Sequence, residues 1–213
     1  MYRKKEYTLG GDKVVLVPYC PEHVPKYHSW MQSEELREQT ASERLTLQEE
    51  YEMQQKWISD DDKSTFIVLS KQLYEDVSTS EIDSMVGDVN LFFNDSSDVT
   101  LAEVEVMVAE PSVRRQGLAS EAVLLMMLYA TEELNINKFR VKILENNTAS
   151  LHLFQTKLNF TEVGRNAVFH EVVLELCAVT AASIKDKMTA VGLKNNQLNW
   201  KLYSPKPSHC DNI

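Results

Sequence analysis

The stretch EVEVMVAEPSVRRQGLASEAVLLMMLYATEEL, residues 103–134, indicates how the chain folds. Val104, Val106 and Val108 alternate with other residues in the pattern of a strand, and Pro111 ends that pattern. The long apolar run of residues 122–130 predicts a buried helix. A short loop therefore leads from a strand to the N-terminus of a helix.

This loop is suited to bind phosphate. The first turn of a helix offers unpaired backbone N–H groups and a partial positive charge, and both favour anions. A side chain at Gly117 would block the approach of an anion to the backbone, so glycine fits this position. We predict that a pyrophosphate is bound by the backbone amides of Arg114, Arg115, Gln116, Gly117, Leu118 and Ala119.

Two segments resemble the GNAT superfamily of N-acetyltransferases. Residues 114–119, RRQGLA, fit the [Q/R]-x-x-G-x-[G/A] signature, with which that superfamily binds the pyrophosphate of acetyl-CoA. Residues 147–160 resemble its N-x-x-[S/A]…[Y/F]…K-L-G-F segment, with Thr156 as an extra residue and Asn159 in place of glycine. The resemblance covers residues 13–177, so we predict a GNAT domain at residues 1–177 and a partly disordered C-terminal tail at residues 178–213.

The order of the predicted elements gives an α/β fold with a mixed central β-sheet flanked by helices. Hydrophobic periodicity predicts strands at residues 13–19, 65–73, 85–93, 138–144 and 168–176, and helices at residues 23–33, 46–59, 148–158 and 181–191. Residues 74–84 are acidic and serine-rich, which predicts a surface loop. The resemblance further implies that the strand of residues 104–108 splays away from that of residues 138–144, so that acetyl-CoA fits between them.

The resemblance also implies which residues contact acetyl-CoA. The backbone of Val106, Met107 and Val108 would bind the pantetheine and the thioester oxygen, where a fixed N–H stabilises developing negative charge. Asn147 matches a position that makes a polar contact to the coenzyme, and Ser150 lies one helical turn beyond it. The alternative role for Asn147 is that of a helix N-cap.

Glu103 and Glu105 are the candidate catalytic residues. They lie two residues apart on one strand and share a face, where two carboxylates can raise the pKa of one into the range of a general base. Several superfamily members carry their catalytic glutamate eleven residues before the position of Arg114, which ranks Glu103 first. The alternative for both is a solvent-facing strand edge.

These features predict an acetyl-CoA-dependent N-acetyltransferase. It would transfer the acetyl group to a protein or peptide amine, either an N-terminal α-amine or a lysine, by direct attack in a ternary complex. Phe154 stands where many superfamily enzymes have a tyrosine that protonates the leaving thiolate, and phenylalanine cannot donate that proton. The alternative is therefore a catalytically weak or inactive GNAT-fold protein that acts as a protein-interaction module.

Composition argues against several other classes of protein. The formal net charge of -10 argues against a nucleic-acid surface. Cys20, Cys177 and Cys210 form no C-x-x-C pair, and the histidines are scattered, so neither a disulfide framework nor a metal site is predicted. No stretch reaches the roughly 18 apolar residues of a membrane span. We expect a cytoplasmic protein, with the nucleus as the alternative location.

Overall fold

The structure, a computed structural model, describes residues 7–194 and 199–206. Its strands form one mixed sheet with helices on both faces, which confirms the predicted fold class. Across the sheet the strands follow the order β7-β8-β6-β5-β4-β3-β2-β1-β9. In chain order the strands are β1 (Tyr7–Gly10), β2 (Val14–Pro18), β3 (Lys63–Ser70), β4 (Met85–Phe92), β5 (Leu101–Val108), β6 (Lys138–Leu144), β7 (Thr161–Asn166), β8 (Glu171–Leu176) and β9 (Asn199–Leu202).

The helices lie between these strands and confirm most of the predicted helical segments. They are α1 (Val24–Trp30), α2 (Glu34–Gln39), α3 (Leu47–Ser59), α4 (Lys71–Glu75), α5 (Glu81–Ser84), α6 (Leu118–Glu133), α7 (Thr148–Leu151) and α8 (Ala181–Ala190). A π-helix, His152–Lys157, continues α7. At the start of α3, Thr46 and Glu49 form a capping box, in which each side chain accepts the other's backbone N–H.

Helix α6 occupies the centre of the core on one face of the sheet. Its residues 118 and 120–130 are all buried, because one side packs on β2, β4 and β5 and the other on α8. This double contact explains why the apolar run has no polar stripe. On the opposite face, α1 and α3 cover the sheet, and Tyr19, Tyr27 and Trp57 pack together beneath them.

The segment that follows residue 177 is largely part of this domain. The predicted helix is confirmed as α8, which buries Ile184 and Met188 in the core beside α6. Strand β9 pairs with β1, although the composition of residues 194–213 predicts disorder. Residues 195–198 and 207–213 lie outside the described residues. The core therefore does not end at the predicted domain boundary, because α8 supplies apolar side chains to it.

Three local predictions were wrong. The predicted strand of residues 65–73 ends at Ser70, because the chain continues there as helix α4. The predicted loop of residues 74–84 contains the short helix α5, which begins because the Ser80 hydroxyl accepts the backbone N–H of Asp83. The predicted strand of residues 168–176 begins only at Glu171, since the chain turns between β7 and β8 and His170 adopts a left-handed φ of 53°.

Candidate active site

The candidate active site lies where β5 and β6 separate. The two strands pair in parallel from Leu101 and Lys138 as far as Glu103 and Arg140, and in the described sheet their pairing stops there. Beyond that point β5 continues to pair with β4, and β6 with β8. The predicted separation of the two strands is thus confirmed, and β5 presents an open backbone edge at Val106 and Val108. The backbone of Met107 between them faces Asp88 on β4, because alternate residues of an antiparallel ladder bond to the same neighbour.

The loop after β5 leads directly into α6. Arg115 and Gly117 have left-handed φ values of 64° and 88°, and Gly117 is the N-cap of α6. Within the described part of the chain, the amides of Arg115, Gln116 and Gly117 have no backbone acceptor. Three consecutive amides beside a helix N-terminus are the arrangement expected of a phosphate site.

A cavity of about 220 Å³ opens beside this loop. Its lining combines the loop with residues from the β1–β2 turn, the π-helix and the segment after α8: Lys13, Arg115, Gln116, Gly117, Ser120, Lys157, Val191 and Leu193. Three of these side chains are cationic, and the Lys13 ammonium donates a hydrogen bond of 2.9 Å to the carbonyl of Gln116. Cations and a helix N-terminus at one cavity fit a ligand with several negative charges.

A buried carboxylate fixes the position of Lys13. Glu121, in the first turn of α6, accepts the backbone N–H groups of Asp12, Lys13 and Val14, the last two at 2.7 and 3.1 Å. The Glu121 side chain is fully buried, and its negative charge lies at the favourable end of the helix dipole. The β1–β2 turn is thereby tied to α6, so that the Lys13 side chain reaches the cavity.

The six predicted phosphate-loop residues have different surroundings. Arg115, Gln116 and Gly117 line the cavity, whereas Leu118 is buried and Ala119 belongs to the first turn of α6. The Arg114 guanidinium turns back to the carbonyls of Val108 and Ala109, at 3.0 and 3.4 Å. Its side chain therefore supports the end of β5. The Arg114 backbone N–H donates to the Pro111 carbonyl at 3.2 Å, so the predicted contact of this amide with a pyrophosphate is not open in the structure.

The second predicted segment also serves the fold. The Asn147 side chain caps α7, because its oxygen accepts the Ser150 N–H at 3.1 Å. The extra residue Thr156 falls in the π-helix, a structure that absorbs one additional residue. Asn159, which replaces a glycine, has a left-handed φ of 58°. Phe154 is buried against Phe160, so it fills the core.

Glu103 and Glu105 differ in their surroundings. The Glu103 carboxylate holds the ammonium of Lys142 on β6 at 2.8 Å. Glu105 reaches solvent, yet desolvation by the surrounding protein raises its pKa to about 7. The charge of Lys63 opposes this rise, and the charge of Asp88 adds to it. A pKa of about 7 suits a general base that works near neutral pH.

Buried polar side chains adjoin Glu105 on the face that α3 covers. Thr65, Asn90 and Glu105 stand opposite one another on β3, β4 and β5. The Thr65 hydroxyl donates to Asn90 at 2.7 Å, and the Asn90 amide donates to Asp88 at 2.6 Å. Burial raises the pKa of Asp88 to about 6. These hydrogen bonds fix the Asp88 side chain near the Glu105 carboxylate.

Sequence reasoning missed several of these residues. Asp88 and Asn90 alternate with apolar residues in MVGDVNLFF, residues 85–93. This alternation indicates that the two polar side chains share one face of the strand. Lys157 belongs to the K-L pair of the second segment, but nothing in the sequence relates Lys13 to the loop. Lys63 stands at the start of an apolar strand, where a lysine is usually solvated.

The described residues also bear on other kinds of site. They contain no group of three or more histidine, cysteine or acidic side chains that could hold a metal ion. None of their helices combines the length and the apolar run that crossing a bilayer requires.

Known proteins are similar to this chain in sequence and in fold. The acetyltransferase (GNAT) domain family matches residues 13–160. An N-acetyltransferase 9-like protein of Nematostella vectensis is 55% identical over 170 residues, which is 80% of this chain and 85% of that protein. The Mus musculus protein named alpha/beta-tubulin-N-acetyltransferase 9 is 56% identical over 169 residues, 79% of this chain and 70% of that protein.

A solved structure shows the same fold at low sequence identity. Mycobacterium smegmatis RimJ in complex with CoA-disulfide has a TM-score of 0.69 at 14% identity, over 87% of this chain and 94% of that one. The family match spans both the loop before α6 and the segment around Asn147. The chain therefore belongs to the GNAT family and is an acetyl-CoA-dependent N-acetyltransferase.

Proposed function

We propose that this enzyme acetylates an amine of a protein acceptor and that Glu105 is its general base. One observation carries the proposal: the open edge of β5 runs between the cationic cavity and the face that bears Glu105. A long ligand bound along that edge has its phosphates at one end, and its reactive end lies near the carboxylate. Acetyl transfer to an amine requires that the thioester be held next to a base. The phosphate loop, the open strand edge and the base follow one another in the order that would place it there.

The cofactor would be held mainly by backbone groups and cations. Acetyl-CoA, when bound, supplies the acetyl group as an activated thioester. Its pantetheine amides would bond to the backbone of Val106 and Val108, which faces away from β4, as a peptide adds to an exposed sheet edge. Its phosphates would lie at the amides of residues 115–119, with Lys13, Arg115 and Lys157 as counter-charges. Beside them, the Asn147 amide and Ser150 would supply polar contacts.

Glu105 is a better candidate base than Glu103, the residue that the spacing ranks first. The Glu103 carboxylate is occupied by Lys142, whereas Glu105 has a pKa of about 7 and opens to the cleft. A general base works best when its pKa is near the working pH. We therefore propose that Glu105 accepts the proton of the attacking amine and that Glu103 fixes Lys142 at the point where the strands separate.

The proposed acceptor is the α-amine of tubulin. The relatives from mouse, human and Drosophila melanogaster are all named alpha/beta-tubulin-N-acetyltransferase 9. Deprotonation at neutral pH costs about 0.8 kcal/mol for an α-amine and about 4.4 kcal/mol for a lysine, from their ordinary pKa values. The smaller cost suits a base with a pKa of about 7. The proposed location is the cytoplasm, where thiols such as Cys20 and Cys177 stay reduced.

Mass spectrometry of tubulin incubated with the enzyme and acetyl-CoA tests the proposal. We expect one acetyl group on the N-terminal residue and none on internal lysines. Glu105→Gln should lower turnover by about a hundredfold or more. Glu103→Gln is the matched control and should lower it less. Tubulin left unmodified by an enzyme that binds acetyl-CoA would contradict the acceptor, and a larger loss in Glu103→Gln would contradict the choice of base.

A further inference from the structure

Lys63 is a buried lysine next to the candidate base. It begins β3 and is only 4% exposed. Its ammonium lies 2.8 Å from the centroid of the Trp57 ring and 4.5 Å from that of Phe92. Burial lowers the pKa of Lys63 to about 7, while Asp88 and Glu105 act in the opposite direction. A buried lysine needs compensating negative charge, and the carboxylates of Asp88, Glu105 and Asp60 act on Lys63.

The strand register places Lys63 close to Glu105. Lys63 stands in one row with Phe92 and Glu103, and Glu105 lies two residues further along β5 on the same face. Two strand spacings and this offset separate Lys63 from Glu105 by about 12 Å at the backbone, a gap that their long side chains can shorten. The charged groups that act on the pair come from β4, β5, β6 and the end of α3: Asp88, Glu103, Lys142 and Asp60.

We propose that Lys63 is a positioning residue, held beneath α3 by Trp57, whose positive charge keeps Glu105 in the ionised form that accepts a proton from the amine. This inference rests on the proposed role of Glu105. Lys63 itself does not touch the acceptor, because Trp57 and Phe92 cover its ammonium. Trp57, on helix α3, thereby positions a charge that acts on Glu105.

The sign of the effect follows from the charges. A nearby cation favours the carboxylate and lowers its pKa, so removing Lys63 raises the pKa of Glu105. The base is then ionised only at higher pH. The acidic limb of the kcat/KM–pH profile, where activity falls as the base is protonated, therefore shifts to higher pH. Two charges about 8 Å apart at an effective dielectric of about 30 shift a pKa by about one unit. Arginine keeps its charge at all working pH values and should move the limb downward.

The test compares kcat/KM–pH profiles of Lys63→Met and Lys63→Arg. We expect the acidic limb to rise by about one pH unit in the first variant and to fall in the second. Lys142→Met should raise it less, because Lys142 has a weaker effect on Glu105 than Lys63 has. Lys185→Met is the charge-matched control: it removes one positive charge that pairs with Glu132 near the far end of α6, so the limb should stay in place.

A second readout separates charge from stability. An NMR titration of the Glu105 carboxyl in the free enzyme reports its pKa without acetyl-CoA, and it should show the same shifts. If Lys63→Met fails to fold, Lys63→Arg still decides the question. The role of Lys63 would be overturned if the acidic limb stays at the wild-type pH in the Lys63 variants while Glu105→Gln abolishes it. A limb that survives Glu105→Gln would instead overturn Glu105 as the base.

Discussion

Lys13→Met should weaken acetyl-CoA binding about tenfold. The substitution removes the ammonium from the cationic cavity, and it leaves the backbone N–H that bonds to Glu121 unchanged. A charge about 6 Å from a phosphate, at an effective dielectric of about 40 for an exposed site, contributes about 1.4 kcal/mol. That energy corresponds to about a tenfold change in Kd.

Isothermal titration calorimetry at low and high ionic strength measures this effect. The loss should be largest at low salt, because mobile ions screen an exposed charge. Titration with a coenzyme that lacks the 3′-phosphate shows which phosphate Lys13 contacts, because the effect of Lys13→Met on Kd disappears when that phosphate is missing. Lys185→Met is the control, since Lys185 pairs with Glu132 near the far end of α6, about 20 Å from Gly117 along the helix.

The outcome for Lys13→Met bears directly on the phosphate assignment. An unchanged Kd at low ionic strength would show that the phosphates do not lie in this cavity. An equal loss in Lys13→Met and Lys185→Met would show that overall charge, and not the cavity, determines affinity.

Three further substitutions test the loop and the core. Gly117→Asp should raise the Kd for acetyl-CoA more than tenfold, because it adds a negative charge and a side chain at φ 88°; calorimetry with an unchanged Kd would contradict the loop assignment. Gly87→Ala should cost about 3 kcal/mol in urea unfolding, because the added methyl group overlaps the Met107 carbonyl, and a neutral result would refute this contact. Ile184→Ala should cost about 3 kcal/mol in the same assay, and a loss below about 1 kcal/mol would mean that α8 is not part of the core.

Much of the fold was predictable because hydrophobic periodicity is local. The strand of residues 138–144 and the helix capped by Thr46 have the predicted bounds to within a residue. Strand β9 and the short helices α2, α4 and α5 were not predicted. The order of strands across the sheet depends on tertiary contacts, and β9 pairs with a strand almost 200 residues earlier in the chain. No local pattern in residues 199–202 reports that partner.

The candidate site was predictable only in part for the same reason. The phosphate loop is a contiguous motif, so its residues could be read from the sequence. Lys13 and Lys63 reach the site through strand pairing and through the bonds of Glu121, and neither belongs to a motif. The choice between Glu103 and Glu105 depends on Lys142, which lies on another strand. Spacing along one strand carries no information about that ion pair.

The short junction between β5 and β6 has a mechanical consequence. The sheet consists of two parts, here called wings: β7, β8 and β6 form one, and the strands from β5 to β9 in the sheet order form the other. Their backbones pair only where Leu101–Glu103 meets Lys138–Arg140 in the described sheet. Past this hinge, side-chain packing sets the angle between the wings, because no strand bonds span the gap in the described sheet. A change in the volume of an interior side chain can therefore widen or narrow the gap without breaking a backbone hydrogen bond. The aperture can therefore change while the strand ladders on both sides of it stay intact.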